Sequence, residues 1–333
     1  MATPIPELIG SPLPAISVIL PVLNEESHLE GAVLSVLSQD YRGPLEIILA
    51  LGPSRDRTNE IATKLASQDN RVKLIDSPTG KTAAGLNIAL AASKSPVVVR
   101  VDGHAQIPKN YISLIVEILN KTGAVNVGGV MAAVGTTAFE RAVAGAMRSP
   151  LGVGASRFHT GGEAGEVDTV YLGAFRREAL VAIGGFDERF TRAQDWELNF
   201  RLRENGGVIY FDPRLHVTYR PRSSVGALAK QYFEYGRWRR VVSRRHSGTI
   251  NYRYLAPPFA LLGFSASLVL GVLLSSIFFI PALVYLLFVV LASLKISTSI
   301  GEYLLLLLVI PTMHFAWGAG FISSPKTLVP ASQ

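Results

Sequence analysis

Ser95-Pro96-Val97-Val98-Val99-Arg100-Val101-Asp102-Gly103-His104-Ala105-Gln106 decides how this chain folds. The run Val97-Val98-Val99 is too continuously apolar for a half-exposed strand. It predicts a central parallel strand, covered on both faces. The run stops abruptly on Asp102-Gly103-His104. In open α/β sheets, ligands sit just beyond the carboxyl ends of such strands. A carboxylate and an imidazole two positions apart, with glycine between them, can aim at one point. Both are ligands for a divalent ion of the Mn²⁺ or Mg²⁺ kind. Asp-Gly after a strand is also an ordinary turn, so the flanking segments must decide.

Working outward, a second apolar strand is expected at Ile16-Ser17-Val18-Ile19-Leu20-Pro21-Val22. Asn24-Glu25-Glu26 is expected to open a helix through Leu29, Val33, Val36 and Leu37, which recur at helical spacing. Glu46–Leu51 predicts another strand, followed by the loop Gly52-Pro53-Ser54-Arg55-Asp56-Arg57-Thr58. Asp56 or Thr58 would cap a helix from about Asn59. Val72–Ile75 is a further strand, and Gly80-Lys81-Thr82-Ala83-Ala84-Gly85-Leu86-Asn87 starts a small-residue helix. A β-α-β-α-β-α-β run implies a mainly parallel sheet with right-handed crossovers.

The second half differs in composition. From Tyr254 to Leu294 there is no Asp, Glu, Lys or Arg, and a further apolar stretch runs from Tyr303 to Ile322 with His314 inside it. A crossing needs about 20 apolar residues, so three spans are expected, near Leu255–Ser275, Ile277–Leu294 and Tyr303–Ile322. The net charge is +7. Its excess gathers at Arg237, Arg239, Arg240, Arg244, Arg245 and Arg253, just before the first span. That placement follows the positive-inside rule and predicts a cytoplasmic N-terminal region, with Gln333 outside after three crossings. The adjoining apolar run explains the basic cluster better than nucleic acid does. The chain has no cysteine, which excludes disulfides and thiolate metal sites. Met1–Pro14 is Pro-rich without an apolar core and is not expected to be a signal peptide.

Several motifs fall in one order. They are Pro21-Val22-Leu23-Asn24-Glu25-Glu26, Ser38-Gln39, Ser54-x-Asp56-x-Thr58, Gly80-Lys81 with Leu86-Asn87, Asp102-x-His104, Gly184-Gly185-Phe186-Asp187 and Gln194-Asp195-Trp196-Glu197. In this order and spacing the chain resembles family 2 inverting glycosyltransferases, most of all the membrane-attached bacterial exopolysaccharide (succinoglycan) type. The resemblance covers roughly Ile16 to Trp238. It implies an α/β fold of the GT-A kind, with a Rossmann-like mixed, mainly parallel sheet, followed by C-terminal transmembrane helices. The expected blocks are a tail at 1–15, the GT-A domain at 16–222, a basic and aromatic interfacial helix region at 223–253, the transmembrane region at 254–322 and a tail at 323–333.

The resemblance also implies roles. Pro21, Asn24, Glu25, Asp56, Lys81 and Asp102 would bind a nucleotide-sugar donor, with Asp102 and His104 holding a divalent metal, Mn²⁺ or Mg²⁺. Asp195 would be the catalytic base, which an inverting transfer needs to take the acceptor hydroxyl proton. Gln194, Trp196, Glu197, Arg237 and Trp238 would lie on the acceptor side. Relatives commonly carry an acidic pair after the second strand, where this chain has Leu51-Gly52-Pro53-Ser54-Arg55-Asp56. Processive relatives carry Gln-x-x-Arg-Trp, whereas here Glu234 precedes Arg237-Trp238, which favours single additions. The expected partners are the nucleotide sugar, a lipid-linked acceptor and the membrane, with no nucleic acid. The expected location is the cell membrane, multi-pass, with the catalytic domain cytoplasmic. The alternatives are a polyprenyl-phosphate sugar synthase and a non-catalytic membrane scaffold with a degenerate glycosyltransferase fold. The Gly-rich Thr160–Gly165 segment is either a lid or a plain loop.

Overall fold

The computed structural model describes residues 13–329. In chain order the elements are β1 (Ile16–Val22), α1 (Leu29–Leu37), β2 (Leu45–Leu51), α2 (Thr58–Gln68), β3 (Val72–Asp76), α3 (Thr82–Ala92), β4 (Val97–Arg100), α4 (Tyr111–Thr122) and β5 (Asn126–Ala133). Then come α5 (Ala138–Met147), the single turns α6 (Pro150–Val153) and α7 (Arg157–Thr160), β6 (Gly165–Glu166), β7 (Tyr171–Arg176), α8 (Arg177–Ala182), α9 (Gln194–Glu204) and β8 (Ile209–Tyr219). The chain continues with α10 (Val225–Arg245), α11 (Tyr252–Leu273), a 3₁₀ turn at Ser276–Phe279, α12 (Ile280–Ile296) and α13 (Ile300–Ser323).

The described residues divide into two compact units. One holds residues up to Ala132 together with Gly161–Tyr219, and the other holds Ala133–Thr160 and residues from Arg220 onward. The segment α5–α7, within the block expected at 16–222, packs with the C-terminal helices.

The first unit is built on a sheet in the order β3-β2-β1-β4-β7-β5-β8-β6. Strands β1 to β4 pair in parallel, and β7 joins antiparallel to β4 and β5. Side-chain alternation explains the continuous apolar runs. Val97 and Val99 enter the core beneath α1, α2 and α4, whereas Val98 enters the core beneath α3 and α9. The central strand is thus covered on both faces, as its composition requires. Gly129 lets β5 approach β8, since a Cβ there would stand 1.7 Å from the Leu215 carbonyl oxygen. The Gly-rich segment is not wholly a loop, because Gly165 and Glu166 pair with Phe211 and Tyr210 of β8.

In the second unit, α10 runs as the expected helix, with the Ser224 hydroxyl accepting from the Ala227 N–H. Three helices are long and apolar enough to cross a membrane: Tyr252–Leu273, Ser276–Ile296 and Ile300–Ser323. The break between the first two falls at Leu274–Ser275, and Pro281 sits in the first turn of α12, where its missing N–H costs nothing. The tail residues up to Pro12 and from Pro330, including Gln333, lie outside the described residues.

Candidate active site

Three loops meet at the carboxyl ends of β1, β2 and β3. Small residues allow it: a Cβ on Gly52 would lie 3.1 Å from the Gly80 Cα, and one on Gly80 would lie 3.1 Å from the Pro53 ring. Gly80 also has φ +60, a region glycine enters without strain. The first two loops are laced together. Asn24 N–H donates to Ser54 Oγ at 3.1 Å, and Arg55 N–H donates to Asn24 Oδ1 at 2.8 Å. Glu25 N–H donates to Thr58 Oγ1 at 2.7 Å, and Glu26 N–H donates to Asp56 Oδ2 at 3.2 Å. Asn24 is held in this loop at φ 55, outside the right-handed helical region, and α1 starts only at Leu29. Asp56 also accepts from the Thr58 hydroxyl and N–H. The Thr58 hydroxyl leads in holding its pKa below the ordinary value. Asn24 and Asp56 thus shape the loop edge. Pro21 sits inside β1, half-buried, and Lys81 stands exposed just before α3.

Beyond β4 the chain turns at Asp102. His104 Nδ1 lies 2.8 Å from Glu25 Oε1. Gly103 makes this possible, since a Cβ there would come 3.0 Å from Glu25 Cγ. Metal-bound histidines commonly give their second ring nitrogen to a carboxylate, which fixes the tautomer. Among the described residues no three His, Cys, Asp or Glu side chains close a metal cage. The donor set is that of an open site, in which one or two protein ligands are completed by water and phosphate oxygens.

Arg100 is the residue the sequence reading passed over. It occupies the last position of β4 and alternates onto the same face as Val98, towards α9. Its side chain is 6% exposed. Nε donates to Asp102 Oδ1 at 3.0 Å and Nη1 donates to Asp195 Oδ1 at 2.5 Å. One guanidinium therefore ties the strand-end carboxylate to the first turn of α9. Burial opposes its charge, but Asp102 and then Asp195 outweigh it and raise its pKa. An arginine inside a valine run was the available signal, because a buried charge demands a partner.

Asp195 keeps 21% of its side-chain surface open. Burial of the rest pushes its pKa up to about 6; Asp102 adds to the rise, while Arg100 and the Leu172 N–H oppose it. It lies in the first turn of α9. The N-cap is Ala193, at φ 60, with no side-chain cap bond. Only three non-glycine residues among those described have positive φ: Asn24, Leu172 and Ala193. One lies in the loop before α1, one donates its N–H to Asp195, and one precedes the turn that carries Asp195. Such strain gathers where surrounding structure fixes a functional geometry.

The remaining residues divide. Gln194 and Trp196 share the half-buried first turn of α9 with Asp195. Glu197 does not join them: its side chain is 2% exposed and pairs with Arg201 at 2.7 Å. Arg201 also donates to the carbonyls of Ile183 and Gly185. Glu197 thus braces the Gly184-Gly185 turn instead of facing an acceptor, because two residues along a helix rotate it to another face. Asn87 explains the spacing of its motif. Its amide donates to Phe186 O and accepts from Phe186 N–H, both at 2.8 Å. Arg237 and Trp238 belong to the second unit. Trp238 is buried there, and Arg237 pairs with Glu234 at 2.8 Å and lies 5.6 Å over the Phe233 ring. Trp238 packs the helix rather than presenting a face to an acceptor.

The profile of glycosyl transferase family 2 matches residues 17–184. The chain is 34% identical over 242 residues to the succinoglycan biosynthesis protein ExoA of Rhizobium meliloti, covering 72% of this chain and 73% of that protein. It is 25% identical over 281 residues to a Methanococcus voltae dolichyl N-acetylglucosaminyl phosphate diacetamidodideoxyglucuronosyltransferase, covering 81% and 85%. Among solved structures it resembles the mannosyltransferase PcManGT of Pyrobaculum calidifontis, determined with GDP-Man and Mn²⁺. That match has a TM-score of 0.68 and 20% identity and covers 96% and 88% of the two chains. The Staphylococcus aureus TarS fragment with UDP-GlcNAc matches at TM-score 0.51 and 17% identity, over 85% and 82%. With the GT-A sheet and the Asp102–Arg100–Asp195 constellation in place, these matches show that the chain belongs to glycosyl transferase family 2.

Proposed function

We propose that this chain transfers a sugar, with inversion, from a nucleoside-diphosphate donor to a lipid-linked saccharide acceptor at a membrane, in the synthesis of an exopolysaccharide or glycolipid. The observation that carries the reading is the Arg100 bridge. It sets a strand-end carboxylate and a partly buried carboxylate at about pKa 6 on one rigid support. A general base works best when its pKa lies near the operating pH. Asp195 is the base in this reading and takes the acceptor hydroxyl proton as the oxygen attacks the anomeric carbon. Arg100 orients it. Asn24, Glu25, Asp56, Lys81 and Pro21 form the edge against which the nucleotide lies, and the Lys81 ammonium faces its phosphates as a point charge.

Asp102 and His104 would hold the divalent ion, with Glu25 orienting the imidazole. The ion would neutralise charge on the departing diphosphate. The support for it is the open donor set, together with the Mn²⁺ in the PcManGT complex. The ExoA likeness supports exopolysaccharide synthesis. The apolar helices, with arginines at their edge, support a multi-pass membrane protein whose catalytic unit is cytoplasmic.

The test is a screen of the purified full chain against several nucleotide sugars, with and without Mn²⁺. Asp102→Ala and His104→Ala should each suppress transfer, with added Mn²⁺ rescuing only the latter in part. Full activity of Asp102→Ala in chelator would remove the metal from this reading. Turnover of no donor by folded protein would leave the scaffold alternative standing.

A further inference from the structure

Helices α11 and α12 form an antiparallel hairpin. The Ser267 hydroxyl donates to Phe278 O at 2.5 Å and accepts from Ala282 N–H at 3.0 Å. A Cβ on Gly271 would lie 2.5 Å from the Phe279 ring, and Phe264 meets Tyr285 with ring centroids 5.6 Å apart. Later residues of α11 therefore face earlier residues of α12. A third crossing would return antiparallel to α12 and so parallel to α11. The end of α13 would then lie beside Gly271 and Leu274.

It lies at the other end. Trp317 stacks on Tyr254 at 6.4 Å, a Cβ on Gly318 would be 2.6 Å from Pro257 O, and Phe315 meets Phe264 at 5.2 Å. Residue numbers rise along α13 as they fall along α11. The same end of α13 is seated on α10. Cβ atoms on Gly236 and Gly320 would lie 2.1 Å from Trp317 O and 2.0 Å from Phe233 O. Arg244 Nη1 donates to Ser324 O at 2.9 Å, and Ser324 Oγ donates to Arg237 O at 3.0 Å. The start of α13 is held by α5, where Arg141 Nε lies 3.1 Å from Glu302 Oε1, and the end of α12 reaches the same helix, where a Cβ on Gly145 would lie 2.9 Å from Ile296. The three helices thus close a triangle. α11 runs out, α12 returns, and α13 leads back to where α11 began.

Resting on the membrane reading above, we infer that the described chain crosses the bilayer twice, through α11 and α12, and that α13 lies along the lipid interface on the side of α10. Burial agrees. Of its most apolar window, α13 has 39% buried, against 17% and 22% for the other two. Its open stripe, Ile300, Leu304 and Leu308 at 81%, 59% and 49% exposure, recurs every four residues. The open face of α13 is thus apolar, while its opposite face packs on protein. Charge agrees independently. With two crossings Lys295, Lys326 and all the arginines of the cluster share one side, and the outer turn Leu274–Phe279 carries no charge. A third crossing would put Lys326 on the far side, against the positive-inside rule. No apolar span separates β8 from α10, so the catalytic unit shares that side.

The absence of native cysteine makes the test direct. Single cysteines are placed at Ser276, Lys326 and, as a catalytic-unit control, the exposed Ser67, each in the full chain. Intact cells are treated with a membrane-impermeant maleimide, before and after permeabilisation. Ser276→Cys should label in intact cells. Lys326→Cys and Ser67→Cys should label about tenfold less until the membrane is opened. Labelling of Lys326→Cys from outside, with Ser67→Cys protected, would restore the third crossing and overturn the inference. Failure of Ser276→Cys to label from outside would also overturn it. Release of the chain by alkaline carbonate would instead sink the membrane reading itself, and the topology with it.

Discussion

At Asp195 two demands meet on one carboxylate. As the proposed base, it must be open enough to reach an acceptor and dry enough to be basic near neutral pH. Its 21% exposure and pKa of about 6 satisfy both. Asp195→Asn keeps the shape and removes the basicity. Turnover should fall by a factor on the order of 10² to 10⁴, with nucleotide binding retained; unchanged turnover would move the base elsewhere. The base works only when deprotonated, so kcat/KM should fall as pH drops through about 6. Arg100 holds that pKa down, so Arg100→Gln should shift the acidic limb to higher pH. A limb near 4 in the native protein would contradict the burial of Asp195. Glu197→Gln should behave differently. It breaks a buried pair with Arg201, so it should cost roughly 3 to 5 kcal/mol of stability in denaturant unfolding, with turnover per folded molecule little changed.

At the scale of elements, the sheet is held by apolar burial but its loops are held by side-chain amides and hydroxyls. Asn87 carries the turn before α9 through two 2.8 Å bonds to Phe186. Asn87→Ala leaves both backbone groups unpaired and should lower stability by about 1 to 3 kcal/mol, read from the denaturation midpoint. Gly185→Ala should do at least as much harm. Its Cβ would stand 2.6 Å from the Asn87 oxygen, at a backbone φ of 71. In the second unit Gly236 and Gly320 let the backbones of α10 and α13 approach closely. Gly320→Leu should separate these helices, and proteolysis between α12 and α13 would report it as faster cleavage than in native protein.

Across the whole molecule, the insert α5–α7 departs from the sheet and joins the C-terminal helices. The arginines before α11 are used as structure there. Arg239 lies 4.0 Å over the Tyr254 ring and Arg240 lies 5.0 Å over Phe321. These cations therefore serve packing as well as the charge asymmetry that orients spans. Chelation of the full chain should abolish donor turnover and leave its melting temperature nearly unchanged, because no closed metal cage supports the fold among the described residues. A large drop in melting temperature would show a structural ion instead.

Local periodicity and composition determined much of this protein. Val97–Val99 and Ile19–Leu20 predicted strands covered on both faces, and the charge-free run from Tyr254 predicted apolar helices. The turn residues around Ser54, Gly80 and Asp102 marked the edge where the donor site is proposed, because strand ends and glycines are local features. Tertiary structure decided the rest, because it brings together residues that the sequence keeps far apart. Arg100 and Asp195 are 95 positions apart and Asn87 and Phe186 are 99 apart. Nothing periodic links either pair. Local pattern made Asn24 a helix start, but long-range hydrogen bonds with Ser54 and Arg55 hold it in a loop at φ 55. Hydropathy also treats α13 as a span like its neighbours. Only its packing, end to end against α5, α11 and α10, shows which way it runs.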